Sequence, residues 1–267
     1  MLERADVNYL YDGSFMGFLC CVYNYYYNPL KPVDIISQDN FTPSFYGFIE
    51  IETIEQEANK VRGAIENKIS LESLEFLQDC FLSRLKGREM YMLRYIEKGF
   101  KIGGKIRQML TDDTVDVLQK AWVHLLREQR LYLGIVRFYK AGDVYIASIK
   151  PENQILPLLA HHFSERFANE SFMIYDESNH QALIYSNNQW KIIYVKDIQL
   201  PPVELSELET QRLWKQFYDT IAIKDRANPR CRMNFLPKRT WDRLPELWEK
   251  APQEALKLPN NSAQKRL

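Results

Sequence analysis

The sequence predicts an α+β fold: a mainly antiparallel sheet, a helical middle segment and a basic, proline-containing C-terminal extension. Three observations lead there. Apolar residues recur at helical spacing from Ile54 to about Leu133. From about 133 to 195, short β-rich runs alternate with turn residues. Between Arg226 and Pro245, six cationic residues share the chain with three prolines, so no single continuous helix fits there. With 267 residues, 46% hydrophobic and 26% charged, the chain is long enough for one large domain or two small ones. One α+β domain is expected over 1–250, followed by a polar tail, 251–267, read as disordered.

The elements follow in order. A short apolar strand around Tyr9–Tyr11 runs into an Asp12-Gly13 turn. Ser14 is placed to cap a buried helix from Phe15 to about Tyr26, with Phe15, Phe18, Leu19, Val22 and Tyr26 at helical spacing. Asp34–Ser37 and Ser44–Thr53 read as strands. Ala58, Val61, Ile65 and Ile69 mark one helix, Ser70 opens another, and Met90–Phe100 is a third. Gly103-Gly104, between Lys101 and Lys105, reads as a helix-to-helix turn or as a close approach to phosphate. Asp113–Arg130 is a further helix. Leu133–Tyr139 and Val144–Ile149 are expected as a hairpin, Ile155–Phe167 as a helix, and Ser171–Tyr175, Gln181–Tyr185 and Trp190–Val195 as strands. Ser206–Ile223 is a long amphipathic helix opened by Ser206-Glu-Leu-Glu209.

Several function classes find no support. Neither a P-loop nor a dinucleotide glycine fingerprint is present, and no GxSxG or HExxH occurs. The four cysteines (Cys20, Cys21, Cys80, Cys231) make no Cys-x-x-Cys and read as reduced thiols, so no metal site and no cofactor is expected in this chain. No apolar run reaches the roughly 20 residues of a membrane span, and no signal peptide is legible; a cytoplasmic, membrane-free protein is the expectation. Net charge is zero but unevenly placed. Residues 1–83 carry thirteen acids against five bases, 84–107 eight bases against two acids, and 224–267 eleven bases against five acids. That distribution is able to polarise the surface.

The C-terminal segment is the densest set of candidates. Arg226, Arg230, Arg232, Lys238, Arg239 and Arg243 alternate with Phe235 and Trp241. Arginine matches phosphate with a planar fork and stacks on aromatic rings, and basic residues interleaved with aromatics suit a single strand or a phosphate backbone. A solvated tail pinned by Trp241 and Phe235 accounts for the same residues. Elsewhere, His162, Glu165 and Arg166 lie within one helical turn and Asp176 follows on a strand. A histidine, a carboxylate and a guanidinium together are able to move a proton or hold a phosphate. An ordinary helix surface, with Arg166 pairing Asp176, explains them equally. Asp12, Gly13 and Ser14 fit either an anion at a helix start or plain capping.

Three motifs in order carry a resemblance. They are Tyr11-Asp-Gly-Ser-Phe-x-Gly-Phe-Leu, then His162-Phe-Ser-Glu-Arg-Phe with Ile174-Tyr-Asp, then Asn228-Pro-Arg with Leu236-Pro-Lys-Arg-Thr-Trp-x-x-Leu-Pro-Glu246. Over about residues 8–247 the sequence resembles a bacterial domain-of-unknown-function family linked to radical-SAM proteins and assigned to DNA metabolism or repair. That family also occurs fused to uracil-DNA glycosylase-like domains. Its usual Met-Pro-Lys-Arg-Tyr-Trp becomes Leu236-Pro-Lys-Arg-Thr240-Trp here, which leaves Pro237, Lys238, Arg239 and Trp241 in place. The resemblance implies a pathway and names no reaction.

Composition and resemblance together give the expectation of a DNA metabolism or repair component, non-catalytic or dependent on a partner. Arg226, Asn228, Arg230, Arg232, Lys238, Arg239, Trp241 and Arg166 would contact nucleic acid, with Arg84 to Arg107 as a second basic stretch. A radical-SAM partner would bring the iron–sulfur cluster and S-adenosylmethionine. The alternatives are a nucleotide- or DNA-processing enzyme built on His162, Glu165 and Asp176, and a protein adaptor with no DNA contact.

Overall fold

A computed structural model describes residues 7–41, 45–196, 198, 200, 201, 203 and 205–248; the tail expected at 251–267 lies outside them. The chain mixes helix and strand. Where the sequence suggests one domain over 1–250, the contacts gather into two compact units, Met1–Arg127 and Glu128–Leu267.

The first unit is built on a parallel sheet. Strands β1 (Val7–Tyr11), β2 (Pro32–Ser37) and β3 (Gly47–Glu50) lie in the order β2-β1-β3, both pairings parallel. Helix α1 (Phe15–Tyr27) follows β1 directly. Asp12 Oδ1 accepts from the Ser14 amide at 2.9 Å, Asp12 Oδ2 accepts from Thr53 Oγ1 at 2.8 Å, and Ser14 Oγ accepts from the Gly17 amide at 2.9 Å. Capping and turn closure therefore occupy the groups of the alternative anion reading. Helices α2 (Glu55–Lys68), α3 (Leu71–Leu82) and α4 (Arg88–Ile102) complete the unit with the first part of α5 (Asp113–Ile135). Tyr9, Tyr11, Phe18, Leu19, Ile65, Leu77, Met92 and Tyr95 form its buried centre. The buried Tyr11 hydroxyl donates to Glu89 Oε1 at 3.0 Å, and Arg88 pairs with the same oxygen at 3.0 Å. Gly103, at φ +76°, turns the chain out of α4, as expected of the Gly-Gly step.

The second unit holds a five-stranded sheet, β4 (Tyr139–Ala141), β5 (Val144–Ile149), β6 (Ser171–Asp176), β7 (Gln181–Ser186) and β8 (Gln189–Tyr194), in sequence order. Two expectations need correcting. The sheet is mixed, because α6 (Leu156–Arg166) carries the chain back and β6 pairs parallel to β5; the other pairings are antiparallel. The strand expected at Leu133–Tyr139 starts only at Tyr139, as β4 of the expected hairpin with β5; Leu133 to Ile135 end α5, which keeps its buried stripe through Leu125, Glu128 and Tyr132. Phe172 stacks on Tyr185 with ring centroids 5.0 Å apart, and Phe138, Phe163 and Phe167 crowd the same face. Asn187 and Asn188, at φ 51° and 59°, close the β7–β8 hairpin in the two-residue turn that asparagine favours.

The basic segment is folded rather than extended. After α7 (Leu205–Ile221), the chain forms a 3-10 turn at Lys224–Arg226, the short helix α8 (Pro229–Phe235), and 3-10 turns at Lys238–Arg243 and Pro245–Leu247. Each proline stands at or just before the start of a turn, where its missing amide has no helical partner to lose.

Candidate nucleic-acid interface

Glu128 organises the C-terminal segment. It sits on the buried stripe of α5 at 5% exposure, where a carboxylate needs partners to hold its charge. Oε1 accepts from the Glu152 amide at 2.8 Å, and Oε2 accepts from the Asn153 amide at 2.8 Å and from Asn153 Nδ2 at 2.7 Å. The positive charge comes from Arg239, whose Nη2 meets Glu128 Oε1 at 2.9 Å and whose Nη1 meets Glu152 Oε1 at 2.6 Å. Burial works against the Arg239 charge, but Glu128 and Glu152 more than offset it and hold the guanidinium above its ordinary range.

Two further clasps hold the same segment. Arg243 pairs with Glu177, which also accepts from Ser148 Oγ; Lys150 lies 2.9 Å from Asp242 and 3.4 Å from Glu177. Arg137 Nη2 meets Glu246 Oε1 at 2.8 Å, while Glu246 Oε2 accepts from Trp214 Nε1 of α7 at 3.1 Å. Trp241 is half-buried and donates Nε1–H to the Leu236 carbonyl at 2.9 Å. Arg239 and Arg243 therefore fasten the segment to its own unit, while Trp241 bonds within the segment.

The remaining cations face solvent. Arg226, Arg230 and Lys238 are exposed and Arg232 is half-exposed, none with an ion-pair partner among the described residues. Asn228 caps α8, its Oδ1 accepting from the Cys231 amide at 2.9 Å. Arg166, at the last turn of α6, is also exposed. Phe235 stands 77% exposed beside these cations in sequence.

His162, Glu165 and Asp176 are not joined by a hydrogen bond or ion pair among the described residues. His162 and Glu165 are exposed on α6, and the carboxylate of Glu165 pairs at 3.5 Å with His161 instead. Asp176 is fully buried, its Oδ1 accepting from the Ser178 and Asn179 amides at 2.9 and 3.1 Å and its Oδ2 from Asn179 Nδ2 at 2.6 Å. Burial pushes its carboxyl up to about 6, against those hydrogen bonds and with the nearby Glu128 charge adding to the rise. Arg166 does not pair with it.

Residues 86–246, more than half of the chain, match the family described as a domain of unknown function, DUF4130. The chain belongs to that family. No curated protein matches the sequence. The DUF4130 range takes in Glu128, Arg239, Arg243 and the exposed arginines together, so latch and open cations lie in one family domain. Glu128, Glu152, Glu177 and Glu246 are absent from the sequence-derived candidates. Glu128 had a legible signal, since it occupies the apolar stripe of α5 three residues after Leu125 and four before Tyr132. Among the described residues, no helix is long and apolar enough to cross a membrane.

Proposed function

We propose that this DUF4130 protein is a DNA metabolism or repair component that binds nucleic acid. It works beside a radical-SAM protein that supplies the iron–sulfur cluster and S-adenosylmethionine; in fused relatives a uracil-DNA glycosylase-like domain would do the chemistry. The observation that carries this reading is the division of the basic segment. Arg239 and Arg243 are spent on internal carboxylates, while Arg226, Arg230, Arg232 and Lys238 stand open, with Arg166 as a further open cation. Cations without internal partners are the ones free to replace counterions on phosphates, and that exchange makes binding fall with salt. The test is anisotropy of labelled duplex and single-stranded DNA, with and without uracil, over a salt series. Salt-sensitive binding that flattens in Arg230→Ala/Arg232→Ala supports the reading. An unchanged salt slope in that variant would remove these arginines from the interface.

A second reading, a protein adaptor, draws on α7. Leu213, Phe217 and Ile221 recur every fourth residue at 65%, 53% and 58% exposure, beside Trp214, as an apolar stripe. If this stripe docks the partner, Leu213→Ser/Phe217→Ser abolishes co-purification with the radical-SAM protein and leaves DNA affinity intact. Co-purification at the wild-type level would refute it.

A further inference from the structure

The first unit carries a separate surface that the C-terminal segment does not account for. Its centre is the run Tyr23-Asn-Tyr-Tyr-Tyr27 at the end of α1. Tyr23 and Tyr27 stack at 4.3 Å between centroids and 29° between planes, and Tyr27 is 74% exposed, so its outer face is open. Tyr26, 44% exposed, leans on Phe100 of α4 at 5.8 Å.

Lysines border the rings. Lys60 of α2 lies 5.7 Å from the Tyr23 centroid, and Lys68, in the last turn of α2, lies 5.7 Å from that of Phe100. Both are exposed and neither has an ion-pair partner among the described residues. Lys101 and Lys105, exposed around the Gly103-Gly104 turn, extend the positive edge; a Cβ on Gly103 would stand 3.7 Å from the Lys68 carbonyl, which places that turn against the end of α2. Glu97 also contacts this patch, but Lys101 meets it at 3.0 Å and the Tyr25 hydroxyl donates to it at 3.3 Å.

The first unit is acidic in sum, yet Asp12 and Glu50 lie at the carboxyl ends of β1 and β3, where α1 starts. The length of α1, roughly 20 Å at 1.5 Å per residue, separates them from Tyr27. That is about two and a half Debye lengths at physiological salt, so Asp12 and Glu50 act weakly at Tyr27; on α2, Glu57 stands three residues before Lys60 and Glu66 is paired with Arg62 at 3.5 Å.

Open aromatic faces ringed by exposed ammonium groups, of which only that of Lys101 has a carboxylate partner among the described residues, match a polymer that alternates flat bases with phosphates, and only a single strand exposes its bases to stacking. We propose that Tyr26, Tyr27 and Phe100, with Lys60, Lys68, Lys101 and Lys105, form a platform for single-stranded nucleic acid. Tyr27 would take a base on its outer face and the lysines would track the backbone. This rests on the reading above that the chain binds nucleic acid, and it adds the strand form that the chain selects.

The test uses the full chain and a fluorescein-labelled oligothymidylate of about 12 nucleotides, within the usual span of one binding module, against a duplex of equal length. Tyr26→Ala/Tyr27→Ala is expected to weaken single-strand binding roughly tenfold or more, with Tyr27→Phe retaining it. Lys60→Gln/Lys68→Gln is expected to flatten the salt slope by roughly 1.4, at about 0.7 per phosphate contact on a single strand. Wild-type affinity in the Tyr26→Ala/Tyr27→Ala variant, alongside a loss in Arg230→Ala/Arg232→Ala, overturns the platform and leaves the C-terminal site standing. The reverse pattern supports the platform and removes the C-terminal site. A wild-type chain that binds neither oligonucleotide at low salt overturns both.

Discussion

Arg239 and Arg230 are nine residues apart and chemically identical, and their surroundings give them different work. Arg239 neutralises a carboxylate that has almost no contact with solvent, so deleting it leaves Glu128 buried with amide donors alone. Removing one partner of a buried pair costs about 3–5 kcal/mol, and the part-exposed guanidinium brings the expected loss for Arg239→Ala nearer 2–3 kcal/mol. Asp176 makes a second prediction at this scale. Its folded-state carboxyl titrates near 6 and its unfolded-state carboxyl near 3.8, so between those values the native chain binds the extra proton. Asp176 therefore favours the fold below about pH 4 and loses that contribution as pH rises through 6. Thermal melts of wild type and Asp176→Asn should show the wild type gaining on the variant as pH falls from 7.5 to 5. A difference independent of pH would mean that Asp176 does not titrate in this window. The sequence displayed every one of these residue types, but not which cation meets which acid. Those pairings span 111 positions for Arg239 with Glu128 and 109 for Arg137 with Glu246, and no local pattern encodes a distance of that kind.

At the scale of elements, local rules were legible wherever the deciding chemistry was local. Ser14, Ser70 and the Gly103 turn lie where capping and turn chemistry put them. The end of α5 was not legible, because Leu131-Tyr-Leu-Gly-Ile-Val136 suits a strand as well as a helix; burial of Tyr132 on the same stripe as Glu128 decides for helix. Nor was the parallel β5–β6 pairing, since strand direction depends on where α6 returns the chain. The start of α1 offers a test of element packing. A methyl on Gly17 would collide with Asp12 Oδ1 and stand 2.8 Å from Thr53 Oγ1. Gly17→Ala should therefore cost about 1–3 kcal/mol in urea unfolding, despite alanine's better helix propensity. A stabilised variant would show that the Asp12–Thr53 clamp does not fix this helix.

Across the whole molecule, the family domain at 86–246 contains both the buried clasp and the open arginines, whereas the tyrosine and lysine platform draws mostly on residues before it. Zero net charge hides this arrangement. What a polyanion meets is decided by which cations have carboxylate partners, and totals of acid and base do not report that. The central claim is the division of labour within one basic segment, and paired measurements on two variants test it most directly. Melting temperature and the slope of log binding constant against log salt, on duplex DNA, would be recorded for Arg230→Ala/Arg232→Ala and for Arg239→Ala. The expected result is opposite behaviour. The double variant keeps its melting temperature and loses roughly 1.8 from the slope, at about 0.9 per phosphate contact. Arg239→Ala melts about 5 °C or more lower and, below that transition, keeps the wild-type slope. The contrary result, a flattened slope with a wild-type melt in Arg239→Ala, would show that Arg239 faces nucleic acid and that Glu128 does not hold the segment in place.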